Sequence, residues 1–180
     1  MLQIAIPEGE LWDEKSEEFI SVKECVLQLE HSLVSLSKWE SKWCKPFMSK
    51  DAKTDEETLD YIKCMTLNRN IDPNVYYFIT NQHRELVNDY IAAPMTATWF
   101  NKDQAGKPSS EQITNELIYF WMISLNIPFE CQKWHLNRLL TLIKVCEKKN
   151  QPAKKMSNAE ALKQQAALNA ARRKKPKKRG

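Results

Sequence analysis

Two residues in the C-terminal half of the chain have types and spacing that suit covalent or metal chemistry. Cys131 and His135 are four residues apart, so on a helix they share one face. Such a pair can form an activated nucleophile or provide two ligands to a metal ion. However, the chain has no Cys-x-x-Cys pair, and no third group that would orient the histidine is evident. We predict that Cys131 packs in the core and that His135 makes a hydrogen bond at its edge, with a metal site and a Cys–His nucleophile as the alternatives.

Acidic residues form two clusters that could in principle supply the carboxylate pair of a hydrolase. The clusters are Glu14, Glu17 and Glu18, and Asp55, Glu56 and Glu57. The second cluster lies at a predicted helix start, where acids interact favourably with the helix dipole, so we interpret it as a solvated first turn. No partner is evident for His31 or His83. The chain has only three glycines, too few for a phosphate-binding loop, so we predict no catalytic, cofactor or metal site.

The chain shows no sign of export or membrane insertion. Its five cysteines are odd in number and widely spaced, which indicates reduced thiols in a reducing compartment. No apolar run reaches the roughly 18–20 residues that span a bilayer. The N-terminal residues lack the basic and apolar regions of a secretory signal. We therefore expect the protein to stay in the cytoplasm where it is made.

Charge divides the chain into two parts. Residues 151–180 contain ten Lys or Arg residues and one acid, and the whole chain carries +4, so residues 1–150 carry −5. We predict a globular domain over 1–150 and a basic Ala/Lys/Arg-rich tail over 151–180, partly helical or disordered. A capping box at Ser157 would start the tail helix. The tail can make weak, salt-sensitive contact with nucleic acid, or solubilise the chain, or dock on an acidic protein.

The hydrophobic pattern of the body is mainly helical. Two short apolar runs, Leu2–Ile6 and Cys25–Leu29, are strand candidates that can pair. Helix starts are predicted at Ser32, at the Thr54 capping box, at Asp72-Pro73 and near Thr80. Residues 95–100 are a candidate extended segment, and residues 101–110 are a predicted loop. The fold class is therefore mainly α: a single helical domain with a short N-terminal β element and a basic C-terminal extension.

Two strong helical patterns close the body. Apolar residues repeat from Ile113 to Leu125, and a second run extends from Trp134 to Val145. The short break around Pro128 predicts a helical hairpin. The second run is apolar around much of its circumference, so we expect that helix to lie centrally in the core.

Several segments resemble one family of proteins. They are residues 29–40, 60–66, 72–76, 94–98, 121–130, 133–140 and 167–174, and the string from Trp134 to Leu140 is specific. Together they resemble a protein encoded among the tail genes of long-tailed bacteriophages and related prophages. Members of this family are commonly regarded as tail assembly chaperones, and the resemblance covers nearly the whole chain.

The resemblance implies a protein partner. Tail assembly chaperones bind the tape measure protein, a long helical chain that sets tail length, and keep it soluble during virion morphogenesis in the host bacterial cytoplasm. It also implies self-association, with many copies on each client. The alternatives are a structural neck, connector or tail-completion protein of the virion, and a nucleic-acid-binding phage protein. The residues that we predict to contact partners are Trp39, Trp43, Trp134, Arg138, Arg172, Arg173, Lys174, Lys175, Lys177, Lys178 and Arg179.

Overall fold

The computed structural model describes residues 1–13, 17–100, 112–150, 162–163 and 165–169. The chain divides into two units, Met1–Lys148 and Lys149–Gly180, and each is described by itself. In the second unit, the described residues 162–163 and 165–169 are helical. The predicted loop at 101–110, the capping box at Ser157 and the basic block at 172–179 lie outside the described residues.

The N-terminus of the first unit contains two antiparallel strand pairs. Strand β1 (Leu2–Ile6) pairs with β4 (Cys25–Leu29), and β2 (Gly9–Asp13) pairs with β3 (Glu18–Val22). The predicted pairing of β1 with β4 is confirmed. Alternation along these strands turns Ile4, Ile6, Leu27 and Leu29 inward, and all four are buried. The β2–β3 hairpin was not predicted.

Helices make up most of the remaining described chain, as predicted. The α-helices are α1 (Leu33–Trp43), α2 (Asp55–Met65), α3 (Asn81–Ala92), α4 (Asn115–Ser124) and α5 (Leu136–Asn150). Short 3-10 helices occupy Pro73–Phe78 and Phe129–Lys133. Among the residues that the structure describes, no helix has both the length and the apolar character needed to cross a membrane.

Local side-chain chemistry sets the helix starts. The Ser32 hydroxyl accepts a hydrogen bond from the Ser35 amide, and Thr54 forms the predicted capping box with Glu57. Asp72 caps the helix that follows it, although that helix is of the 3-10 type. Thr80 begins α3 through a second capping box, in which His83 supplies the returning side chain. All four predicted starts are therefore confirmed.

Three predictions about the later chain need correction. Trp134 does not begin the last helix: it ends the second 3-10 helix, and α5 starts at Leu136. Helix α5 is not enclosed all round, because only Leu136, Leu139 and Ile143 are buried along it. Residues 95–100 do not form a strand.

The buried apolar side chains that the structure describes in the first unit form two clusters. One lies beneath β1 and β4 and includes residues of α2 and α3, such as Ile62 and Val87. The other joins the start of α1 to α4 and α5. Helix α1 connects them, because Leu33 and Leu36 pack in the second cluster while Trp39 packs in the first.

Candidate functional site

The contacts of Cys131 and His135 indicate structural roles for both residues. Cys131 is buried in the second 3-10 helix, so the two residues do not share a helix face as expected. His135 Nε2 lies 3.0 Å from the carbonyl oxygen of Tyr90 and therefore donates to it, while Nδ1 accepts from the Asn137 amide at 3.3 Å. Burial raises the pKa of the Cys131 thiol, which disfavours the thiolate. Core packing of Cys131 and a hydrogen bond from His135 are confirmed.

His31 has partners that the sequence did not reveal. Its Nδ1 lies 2.6 Å from the Tyr61 hydroxyl, and its ring centroid lies 5.1 Å from that of His135. Burial, with a smaller contribution from His135, lowers the pKa of His31 to about 4. Burial also lowers the pKa of His135, so both rings favour the neutral form at pH 7. In the part of the chain that the structure describes, no three His, Cys, Asp or Glu side chains form a group that could hold a metal ion.

Two of the predicted contact tryptophans make hydrogen bonds within the fold. Trp39 is 1% exposed, and its indole nitrogen donates to the Glu57 carbonyl oxygen at 2.9 Å. Trp43 is half-buried and donates to Asp60 at 2.9 Å. The prediction of Trp39 as a contact residue is wrong for this conformation, because a buried ring offers no surface to a partner. A tryptophan side chain is as typical of a buried core as of a binding surface, so the residue type alone did not distinguish the two.

Trp134 and Arg138 do lie together at the surface. The Arg138 guanidinium carbon is 4.3 Å from the Trp134 ring centroid, and Arg138 is exposed while Trp134 is half-buried. This stacked pair can take part in contacts, because both polar and apolar atoms remain accessible. The tail residues Arg172 to Lys175 and Lys177 to Arg179 lie outside the described residues.

The acidic cluster at α2 differs from the predicted solvated turn. Asp55 and Glu56 are exposed, but Glu57 is buried and forms an ion pair with Lys45 at 2.6 Å. The hydrogen bond from Lys45, followed by that from the Thr54 amide, lowers the pKa of Glu57. Glu57 therefore links α2 to the segment that follows α1. In the first cluster, Glu17 and Glu18 are exposed and Glu14 is not among the described residues.

A buried carboxylate on α1 positions helix α4. Glu40 Oε2 accepts hydrogen bonds from the backbone and side-chain nitrogens of Asn115, at 2.8 and 2.7 Å. Its Oε1 accepts from the Phe47 amide at 2.7 Å. Thr114, the N-cap residue of α4, makes no side-chain capping bond. Glu40 therefore satisfies a donor at the start of α4 that would otherwise lack a partner.

Helix α4 leaves one apolar face open to solvent. Phe120 and Ile123 are each 61% exposed, and their three-residue spacing puts them on the same side of the helix. Phe129, 53% exposed, lies beside Tyr119, with ring centroids 6.4 Å apart. We call Tyr119, Phe120, Ile123 and Phe129 the α4 face. Several exposed large apolar side chains in one place are typical of a surface that binds another protein.

The β2–β3 hairpin carries a second exposed apolar pair. Trp12 and Phe19 are directly opposite each other and make an edge-to-face contact with ring centroids 4.9 Å apart. They are 52% and 70% exposed. This pair stabilises a two-stranded hairpin that is otherwise marginal, so its exposure is explained in part by local structure. The α4 face has no comparable local role and is the stronger candidate for a partner.

Comparisons with protein-family models, curated proteins and solved structures find no match for this chain.

Proposed function

We propose that this protein is a phage tail assembly chaperone, which binds helical segments of the tape measure protein and keeps them soluble in the host cytoplasm. The observation that carries the proposal is the α4 face, where Phe120, Ile123 and Phe129 are more than half exposed. A tape measure chain exposes apolar helix faces before the tail tube surrounds it. An apolar helix face on the chaperone can cover such a segment by side-by-side packing. The resemblance of the sequence to tail-gene proteins supports the same role.

The α4 face is held in place by interactions on its opposite side. Ile118 and Met122 point into the second cluster and are fully buried, while Glu40 binds the start of the helix. A rigid apolar face loses little conformational entropy when a partner binds, which favours association. The face also suits self-association, so several copies can bind along one long client.

Co-expression with a fragment of the tape measure protein tests the proposal. Ile123→Asp puts a charge on the α4 face, and Leu86→Asp puts one on an exposed site of α3 as the matched control. We expect the client fragment to be soluble and to co-purify with the wild type and Leu86→Asp, and to be insoluble with Ile123→Asp. Because both sites are solvent-exposed, neither change should lower thermal stability by more than a few degrees.

Three outcomes contradict parts of this proposal. Failure of the wild type to keep the client soluble rejects the chaperone role. A soluble client with Ile123→Asp rejects the α4 face as its binding surface. Stoichiometric amounts of the chain in purified virions, measured by mass spectrometry, show instead a structural role in the particle.

A further inference from the structure

A small pocket between α2 and α3 has an apolar floor. Its volume is about 230 Å³, and its apolar lining is provided by Phe47, Tyr61, Ile62, Val87 and Ile91. This is below the roughly 300–1,000 Å³ of pockets that hold drug-sized molecules, so a ligand here must be small. The pocket does not include the α4 face.

Two cationic side chains, Lys53 and Arg84, also line the pocket, and no acidic residue is among its described lining. Arg84 Nη1 lies 3.2 Å from Asp55 Oδ1, but the Asp55 side chain is 97% exposed, so this ion pair is weak. The Nε of Arg84 is buried and has no hydrogen-bond partner among the residues that the structure describes. Buried N–H groups nearly always have an acceptor, so this donor is available to a hydrogen-bond acceptor on a ligand.

Lys53 is partly withdrawn from water at the same pocket. Its Nζ lies 4.3 Å from the Phe47 ring centroid, and burial lowers its pKa against the opposing effects of Glu57 and Asp51. An anion bound in the pocket would favour the charged form of this amine. It would also give Arg84 Nε an acceptor, because Nε and an Nη nitrogen form the fork that binds a carboxylate through two parallel hydrogen bonds.

We propose that the pocket binds a monocarboxylate that carries one small apolar group, with the carboxylate at Arg84 and Lys53 and the apolar group on the floor. A phosphate dianion fits less well, because it has no apolar group and would leave the apolar floor uncovered. The same chemistry occurs in a free small acid and in the C-terminal residue of a polypeptide that ends in an apolar side chain.

Titration of the full chain with benzoate, followed by ¹H–¹⁵N NMR, tests the site. We expect saturable shifts confined to residues around the pocket, and weaker binding by about tenfold in both Arg84→Gln and Lys53→Gln. Arg138→Gln removes an exposed cation elsewhere and serves as the matched control, with unchanged affinity. Benzamide, which has the same shape without the charge, should not bind.

A second pair of probes identifies the source of the carboxylate. A short acetylated peptide ending in leucine is compared as the free acid and as the C-terminal amide. Binding of the free acid in preference to benzoate indicates a chain terminus, and the reverse indicates a small metabolite. The proposal is rejected if neither benzoate nor the peptide acid binds saturably. It is also rejected if benzamide binds as tightly as benzoate, or if Lys53→Gln leaves the affinity unchanged.

Two controls keep the results interpretable. If Arg84→Gln does not fold, Arg84→Lys keeps the charge but loses the fork, and Lys53→Gln still tests the second cation. Ile123→Asp should bind benzoate as the wild type does. The proposed carboxylate site and the proposed chaperone surface can therefore be rejected independently of each other.

Discussion

Removal of the Glu40 carboxylate should destabilise the protein strongly. In Glu40→Ala, the Phe47 amide and both Asn115 nitrogens lose their acceptor inside the fold, where Glu40 is 7% exposed. A hydrogen bond to a charged group contributes about 1.5–3 kcal/mol, and water entering the vacated space recovers part of the loss of three. We expect the free energy of unfolding to fall by about 3–5 kcal/mol. At about 2–4 °C per kcal/mol for a chain of this size, the melting temperature falls by roughly 10 °C.

Urea denaturation measures the change, with Glu85→Ala as the control because Glu85 is an exposed glutamate on α3. Both substitutions replace a helical glutamate with alanine, so the small gain in helix propensity cancels between them. Hydrogen exchange adds a local measurement: the Asn115 and Phe47 amides should lose protection before those of α5. A difference of less than about 1 kcal/mol between the unfolding free energies of the two variants would contradict this prediction, because it would mean that these donors are satisfied without Glu40.

Three further predictions follow from burial and charge. The pKa of His31 is about 4 in the fold and 6.5 when unfolded, so the unfolded state binds more protons between these values. This contribution to the free energy of unfolding, about 3 kcal/mol, is complete above pH 6.5 and is lost as the pH falls to 4. In acid titrations, His31→Phe should flatten the dependence of stability on pH over this range. A thiol reagent followed by mass spectrometry should label exposed Cys44 quickly and Cys131 slowly, because Cys131 is buried with a raised pKa; equal rates would contradict its burial. In chemical denaturation, Leu139→Ala should lower the free energy of unfolding by about 2–5 kcal/mol. Trp134→Ala should lower it less, because that ring is only half-buried. An unchanged stability in Leu139→Ala would place the Leu139 side chain at the surface.

The polar interior and the exposed surfaces could not be predicted from sequence because they depend on distant parts of the chain. His31 meets Tyr61 from thirty positions away, and Glu40 meets Asn115 from seventy-five. The tryptophans illustrate the same limit, since an aromatic side chain is equally suited to a core and to an interface. The structure places Trp39 inside and leaves Phe120 outside.

Elements that arise from contacts between neighbouring residues could be predicted from the amino-acid sequence. The capping box at Thr54 and the cap at Ser32 depend on contacts within four residues, and the short apolar run Leu2–Ile6 indicates a strand. The side of α4 that meets solvent, by contrast, depends on tertiary packing. That helix is apolar around most of its circumference, so its pattern does not select a face. Packing of Ile118 and Met122 against α1 and α5 selects it, and thereby leaves Phe120 and Ile123 exposed.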